Sequence, residues 1–166
     1  MTSSKTGVVK SSIALARIFP PEAVVIGLDK TSKQAVIAAL VRRLITLGQL
    51  PEQEEDRLVE EIMKRESLGT TALGNGVAFP HTRTPLANRL LGVLGLERTG
   101  ISFDSLDRSP VYAVFLLLAP DNATKEYFEV LGRITAIGKD KSLRLQLRGC
   151  RTAEAVHRFL QILDAE

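Results

Sequence analysis

The sequence predicts an α/β layered fold in one domain, and three features point there. Short apolar runs of strand length alternate with amphipathic segments of helical period along the whole chain. Residues 111–118 form an almost unbroken apolar run, VYAVFLLL, which suits a central strand covered on both faces. The 166 residues include 45% hydrophobic and 25% charged side chains, the balance of an ordinary globular chain with room for one core.

The elements follow in order. Residues 1–12 are polar and rich in Ser and Thr, and are expected to be a flexible N-terminal segment, with the domain running over 13–166. Residues 14–18 and 24–28 read as short strands on either side of a turn at Phe19, Pro20 and Pro21. Thr31, with Gln34 three positions on, has the pattern of a capping box, and the helix it opens runs to Gly48. Pro51 starts a second helix, with Glu52, Glu54, Glu55 and Asp56 at its N-terminal end and Lys64 and Arg65 in its last turn. Residues 68–76, LGTTALGNG, form a loop, and Val77, Ala78 and Phe79 form a brief strand that stops at Pro80 and His81. Residues 91–97 are a strand, 101–107 a loop containing Phe103, and 111–118 the central strand. An amphipathic helix over 123–138 is expected to bury Phe128, Leu131, Ile134, Thr135 and Gly138, and two further helical patterns occupy 141–147 and 152–163.

Composition removes several function classes. The single cysteine, Cys150, cannot form an internal disulfide, and two histidines do not make a multi-histidine metal site. Lys and Arg total 22 against 19 Asp and Glu, a slight excess that is scattered rather than gathered in a stripe, and there is no Trp. Nucleic acid is therefore not an expected partner. No apolar run reaches the length of a membrane helix and no signal peptide opens the chain, so a cytoplasmic location without membrane insertion is expected.

The chemistry concentrates in GNGVAFPHTR, around His81. A short strand leads to the histidine, and Pro80 stiffens the backbone just before it. Gly74 and Gly76 can bring backbone N–H groups close to an anion, with Asn75 between them. Thr70 and Thr71 supply hydroxyls, and Arg65 and Arg83 bring positive charge from either side. Neutral imidazole is a nucleophile near neutral pH, and a phosphoryl group on its nitrogen needs donors and cations around it. The residues thus describe a phosphohistidine site. Simpler roles stand beside this one. A histidine after a strand can be a structural hydrogen bonder, GNG is also a hairpin signal, Arg65 can close a helix end, and Glu66 can be only a salt-bridge residue. His157 and Cys150 have no activating pattern around them.

The run RESLGTTALGNGVAFPHT closely resembles the signature of the IIA type-2 domains of the bacterial sugar phosphotransferase system, the fructose, mannitol and nitrogen-regulatory branch. Weaker landmarks of the same family are Lys33, Val36, Ile37 and Leu40 in the first helix, the stretch ISFDSLDRSPVYAVFLLLAP, and the helix opening at Thr124. The resemblance implies a compact mixed β-sheet flanked by α-helices. It implies that His81 accepts a phosphoryl group from an HPr-like phosphocarrier protein and passes it to a IIB domain or signals it to a regulated target protein. It places Arg65 as the phosphate-stabilising arginine and Gly74, Asn75 and Gly76 in the active-site loop, and it implies no metal or organic cofactor.

Two departures from the family pattern bear on mechanism. Tyr127 stands where members commonly carry a second histidine, and a phenol can donate one hydrogen bond but cannot become cationic. Thr82 and Arg83 follow His81 where the family usually has glycine, so Arg83 can replace part of the missing positive charge. Taken together the residues imply a phosphohistidine carrier with a mainly regulatory role. The alternative is a protein-binding module that works independently of phosphorylation. A shallow apolar docking face near Phe79 and Phe103 is expected around the histidine.

Overall fold

The computed structural model describes residues 13–166. The expectation for 1–12 lies outside the described residues. The chain forms a mixed five-stranded sheet with helices on both faces. The elements are α1 (Leu15–Ile18), β1 (Val24–Ile26), α2 (Lys33–Thr46), α3 (Glu55–Ser67), β2 (Val77–Ala78), β3 (His81–Arg83), β4 (Leu91–Ile101), β5 (Val111–Ala119), α4 (Thr124–Lys139), α5 (Lys141–Gly149) and α6 (Ala153–Ala165). β4 and β5 pair antiparallel at the centre. β1 adds to β4 in parallel, and β2 and β3 follow one another, both parallel, along the outer edge of β5.

The apolar run of β5 is buried on both sides because its alternate residues enter two different cores. Val114, Leu116 and Leu118 pack with Val36, Ile37, Leu40, Leu58 and Ile62 of α2 and α3. Phe115, Leu117 and Ala119 pack with Val130 and Ile134 of α4 and with Val156 and Leu160 of α6. Burying each such side chain contributes about 1.5–3 kcal/mol, so the two faces of this one strand tie both helical layers to the sheet. Gly92 of β4 lets the Phe19 ring lie against the backbone. A Cβ there would stand 2.5 Å from Phe19 Cε1.

Several boundaries differ from those the sequence suggests. Residues 14–18 form the helical turn α1 rather than a strand. Its Leu15 and Ala16 N–H groups donate to the Asp164 carboxylate of α6 at 2.8 and 3.0 Å, a contact 148 residues or more away along the chain. Ser32, not Thr31, caps α2, its hydroxyl accepting from the Ala35 N–H at 3.2 Å. The Thr31 carbonyl instead accepts from Ser102 N–H. Pro51 precedes a 3-10 turn over Glu52–Glu54, and α3 begins only after it. The strand at 24–28 ends at Ile26, where Gly27 turns with φ +74°.

The face of α4 is also rotated by one position. Tyr127, Val130, Ile134 and Ile137 are buried, whereas Phe128 is 61% exposed. Both 127/130/134/137 and 128/131/135/138 have helical spacing. The first is the stripe buried in the core with Phe115 and Leu117; Ile134, expected inside, belongs to it, and Leu131 packs at its edge. Finally, the chain does not stop at His81 but rejoins the sheet there as β3.

Candidate functional site

Strand register decides what surrounds His81. Its Cα pairs with Leu117 and that of Arg83 with Ala119, so both side chains take the face of β5 that looks toward α4. Thr82 lies between them and takes the other face. On the α4 side waits Tyr127, whose ring meets the His81 ring edge-on with centroids 5.5 Å apart. The Phe79 ring lies nearly parallel to the imidazole, with centroids 5.9 Å apart and 14° between the planes. The ring is thus in contact with two aromatics.

Its hydrogen bonding fixes its chemistry. His81 Nδ1 lies 2.7 Å from the Phe79 carbonyl oxygen. A carbonyl only accepts, so Nδ1 carries the proton and Nε2 keeps its lone pair. The residue is 8% exposed. Even so, among the described residues the one buried side-chain nitrogen or oxygen lacking a partner is His157 Nδ1, so the unpaired Nε2 reaches solvent. Burial is the chief influence that pushes the His81 pKa below the ordinary imidazole value. The Phe79 hydrogen bond opposes it, the Arg65 charge adds to it, and Glu66 works the other way. The imidazole is therefore neutral at physiological pH, the form in which Nε2 is nucleophilic.

Two guanidinium groups serve this edge. Arg65, at the end of α3, donates from Nη1 to the Gly69 carbonyl at 3.1 Å, and its charge acts on both His81 and Tyr127. Arg83 is exposed and rests on the aromatic pair of α4, 5.2 Å from the Tyr127 ring and 5.8 Å from that of Phe128. It has no carboxylate partner among the described residues. Burial raises the Tyr127 pKa, and the Arg83 and Arg65 charges oppose that rise without reversing it, so its hydroxyl stays protonated as a donor.

The remaining predicted residues sit in the loop behind the ring. Thr70 Oγ1 donates to the Phe103 carbonyl at 3.4 Å and accepts from the Ala72 N–H at 3.1 Å. Gly74, Asn75 and Gly76 form a tight turn with φ of +140°, +63° and +78°, which two glycines make accessible. Asp107 holds this turn by accepting the Asn75 N–H at 2.9 Å. The Gly76 carbonyl accepts from the Tyr112 and Ala113 N–H groups and so fastens β2 to β5. Phe79 and Tyr127 thus meet the imidazole, Arg65 acts on it through its charge, Arg83 rests on Tyr127 beside it, and Thr70, Gly74, Asn75 and Gly76 belong to the loop scaffold.

Three residues matter more than the sequence suggested. Glu66 is 3% exposed and Thr71 2% exposed. Glu66 bridges Thr71 and Lys33. It lies on the buried stripe of α3, four positions after Ile62 and eight after Leu58, but its charge made it read as a salt-bridge residue. Phe128 is the third, as an exposed aromatic beside Arg83. Phe103, expected on the docking face, is 1% exposed and belongs to the core under α2 and α3. Cys150 donates to the Gln146 carbonyl at 3.4 Å and burial raises its pKa, which suits a structural thiol. Among the described residues no three His, Cys, Asp or Glu side chains converge as a metal site, and no helix is long and apolar enough to cross a membrane.

Comparison with known proteins identifies the family. Residues 17–162 match the family model of the phosphoenolpyruvate-dependent sugar phosphotransferase system, EIIA 2. The chain is 35% identical over 145 residues to a nitrogen regulatory protein of Bradyrhizobium diazoefficiens, covering 87% of this chain and 93% of that one. It is 36% identical over 149 residues to a nitrogen regulatory protein of Pseudomonas aeruginosa, covering 89% and 95%. The fold superposes on the crystal structure of nitrogen regulatory protein IIA-Ntr from Neisseria meningitidis with a TM-score of 0.78 at 32% identity, covering 87% of this chain and 97% of that one. IIA mannitol from Escherichia coli shares the fold with a TM-score of 0.68 at 22% identity, over 84% and 96% of the two chains. With its histidine, arginine and Gly-Thr loop placed as described, the chain belongs to the EIIA type-2 family of the phosphoenolpyruvate-dependent sugar phosphotransferase system.

Proposed function

We propose that the protein is a phosphohistidine carrier, a component of phosphotransfer, in which His81 Nε2 takes a phosphoryl group from an HPr-like phosphocarrier protein. The observation that carries this reading is the 2.7 Å contact of Nδ1 with the Phe79 carbonyl, which leaves Nε2 as the solvent-facing lone pair. In the transfer step the donor's P–N bond breaks and an Nε2–P bond forms. The Nδ1 proton stays in place, so the ring becomes imidazolium-like and the Phe79 carbonyl stabilises the added charge. Arg65 and Arg83 offset the charge of the phosphoryl oxygens, and the Tyr127 hydroxyl donates to one of them. Thr70, Gly74, Asn75 and Gly76 serve the phosphate indirectly, by holding the loop and β2 that aim His81.

The docking face proposed for the phosphocarrier centres on exposed Phe128 and half-buried Phe79, with Leu68 at 81% exposure on the far side beside Arg65. Phosphate then passes to a IIB domain, or its presence is read by a regulated target protein. A mainly regulatory use is favoured by Tyr127 in place of a second histidine and by the nitrogen regulatory relatives at 35% and 36% identity.

The test is incubation of the pure protein with phosphoenolpyruvate, Enzyme I and the cognate phosphocarrier. Acid-labile phosphate is expected on wild type and not on His81→Ala. Unlabelled wild type, with every component shown to be active, ends the carrier reading. Partner capture then separates the two uses: binding that is identical for wild type, His81→Ala and His81→Asp points to a module indifferent to phosphorylation.

A further inference from the structure

The peptide of Phe79 lies where the sheet ladder is interrupted. β2 ends at Ala78 and β3 begins at His81, with Pro80 between them. The Phe79 N–H therefore has no strand partner, and a buried N–H needs an acceptor. Thr71 Oγ1 supplies it at 3.3 Å. The same hydroxyl donates its own proton to Glu66 Oε1. Glu66 also accepts the Thr71 N–H, at 3.3 Å from each oxygen. Its Oε2 meets Lys33 Nζ at 3.3 Å, and that ammonium stands 5.0 Å from the Phe103 ring centroid with its side chain 13% exposed.

A donor–acceptor chain thus runs from α2 to the imidazole: Lys33, Glu66, Thr71, the Phe79 N–H, the Phe79 carbonyl, His81 Nδ1. Each link has a fixed direction. Ionised Glu66 can only accept, which forces the Thr71 hydroxyl to donate toward it and to offer a lone pair to Phe79. The held N–H fixes the peptide plane on one side of the Phe79 Cα, and Pro80 restricts Phe79 on the other, so together they limit how far the carbonyl can turn from Nδ1. The N–H and the carbonyl belong to different peptide units, so the link is geometric and does not rest on polarisation through one amide.

We propose that Glu66 and Thr71 are positioning residues for the His81 nucleophile: braced by Lys33, they lock the Phe79 backbone so that its carbonyl keeps the proton on Nδ1 and the lone pair on Nε2. This rests on the carrier reading for its consequence in phosphotransfer, but not for its consequence in the resting protein. Free imidazole exchanges between tautomers readily, and a single hydrogen bond worth about 1 kcal/mol changes their ratio roughly fivefold.

The experiment measures the tautomer of His81 by long-range proton–nitrogen correlation in ¹⁵N-labelled, unphosphorylated protein above the imidazole pKa, and in parallel the rate of phosphorylation. Thr71→Val keeps the branched shape and loses the hydroxyl; Thr71→Ser keeps the hydroxyl. In Thr71→Val the ratio of Nε2–H to Nδ1–H tautomer is expected to rise roughly fivefold and phosphorylation to slow by up to about fivefold, and Thr71→Ser is expected to restore both to within about twofold of wild type. Glu66→Gln, which loses the ion pair with Lys33, is expected to shift the tautomer in the same direction and provides the readout if Thr71→Val does not fold. Folded Thr71→Val or Glu66→Gln protein in which His81 keeps the wild-type tautomer overturns the proposal. Because the tautomer is read without phosphate, that outcome is distinct from a wild type that accepts no phosphoryl group, which would overturn the carrier reading instead.

Discussion

Replacing Arg83 by alanine removes the one exposed guanidinium that shares a strand face with His81. Two residues along a strand lie about 6–7 Å apart at Cα, and that spacing sets the scale for the separation of this charge from a phosphoryl group on Nε2. Coulomb's law at 6 Å gives about 0.7 kcal/mol per unit charge at the dielectric of water and about 2.8 kcal/mol at an effective value near 20. The phosphoryl group carries close to two charges, and salt at physiological strength removes about half of the interaction over such a distance. The net loss is about 1–3 kcal/mol, or roughly five- to 150-fold in the equilibrium between phosphorylated and free protein. The assay is transfer from a labelled phosphocarrier to wild type and Arg83→Ala, followed to equilibrium at low and at high salt. The defect should shrink as salt rises. Arg83→Lys should keep most of the charge effect but lose the stacking of a planar group on Tyr127 and Phe128, 5.2 and 5.8 Å away. An Arg83→Ala protein that equilibrates within about twofold of wild type at low salt refutes the assignment of Arg83 as the replacement cation.

Two further outcomes follow from the same geometry. The His81 resonances should titrate below the ordinary value of about 6.5, because burial disfavours the charged ring, and Arg65→Gln should raise that pKa. Linkage gives the sign for stability: the folded pKa is depressed, so the unfolded chain binds the proton first, and the contribution of His81 is complete above about pH 6.5 and is lost as pH falls toward the folded value. A NMR titration at or above 6.5 contradicts this. Gly92→Ala places a methyl 2.5 Å from Phe19 Cε1 and 2.7 Å from Cδ1, and should destabilise the fold by about 1–3 kcal/mol in denaturant unfolding. A change below about 0.5 kcal/mol would mean that Phe19 has room to move.

Much of the sheet and of the site could be read from the residues, for identifiable reasons. The 111–118 run announces a strand buried on both faces, and β5 is that strand. His81, Arg65, Arg83 and Tyr127 were named from spacing and resemblance; the register of β3 on β5 and the first turn of α4 set His81 and Arg83 each against Tyr127, and Arg65 reaches the site from the end of α3 through its charge. What stayed hidden depends on long-range contacts. Residues 14–18 are apolar enough for a strand, and only the Asp164 carboxylate from the far end of the chain turns them into a helical turn. The face of α4 was ambiguous because two stripes have the same period, and burial in the core with Phe115 and Leu117 chooses Tyr127 over Phe128. Glu66 read as an ordinary charge because sequence does not show that its position on α3 turns it inward to Thr71. The GNG turn read both as an anion nest and as a hairpin signal, and the Asp107 carboxylate on the Asn75 N–H shows the turn being used to anchor β2.

The most direct measurement is the nitrogen-15 spectrum of the imidazole ring after phosphorylation, with phosphorus coupling read at each ring nitrogen. Coupling at His81 Nε2, with the Nδ1 proton still present and hydrogen-bonded, is the expected result. Phosphorus on Nδ1, or on any group other than His81, contradicts the assignment of Nε2 as the nucleophile held open by the Phe79 carbonyl.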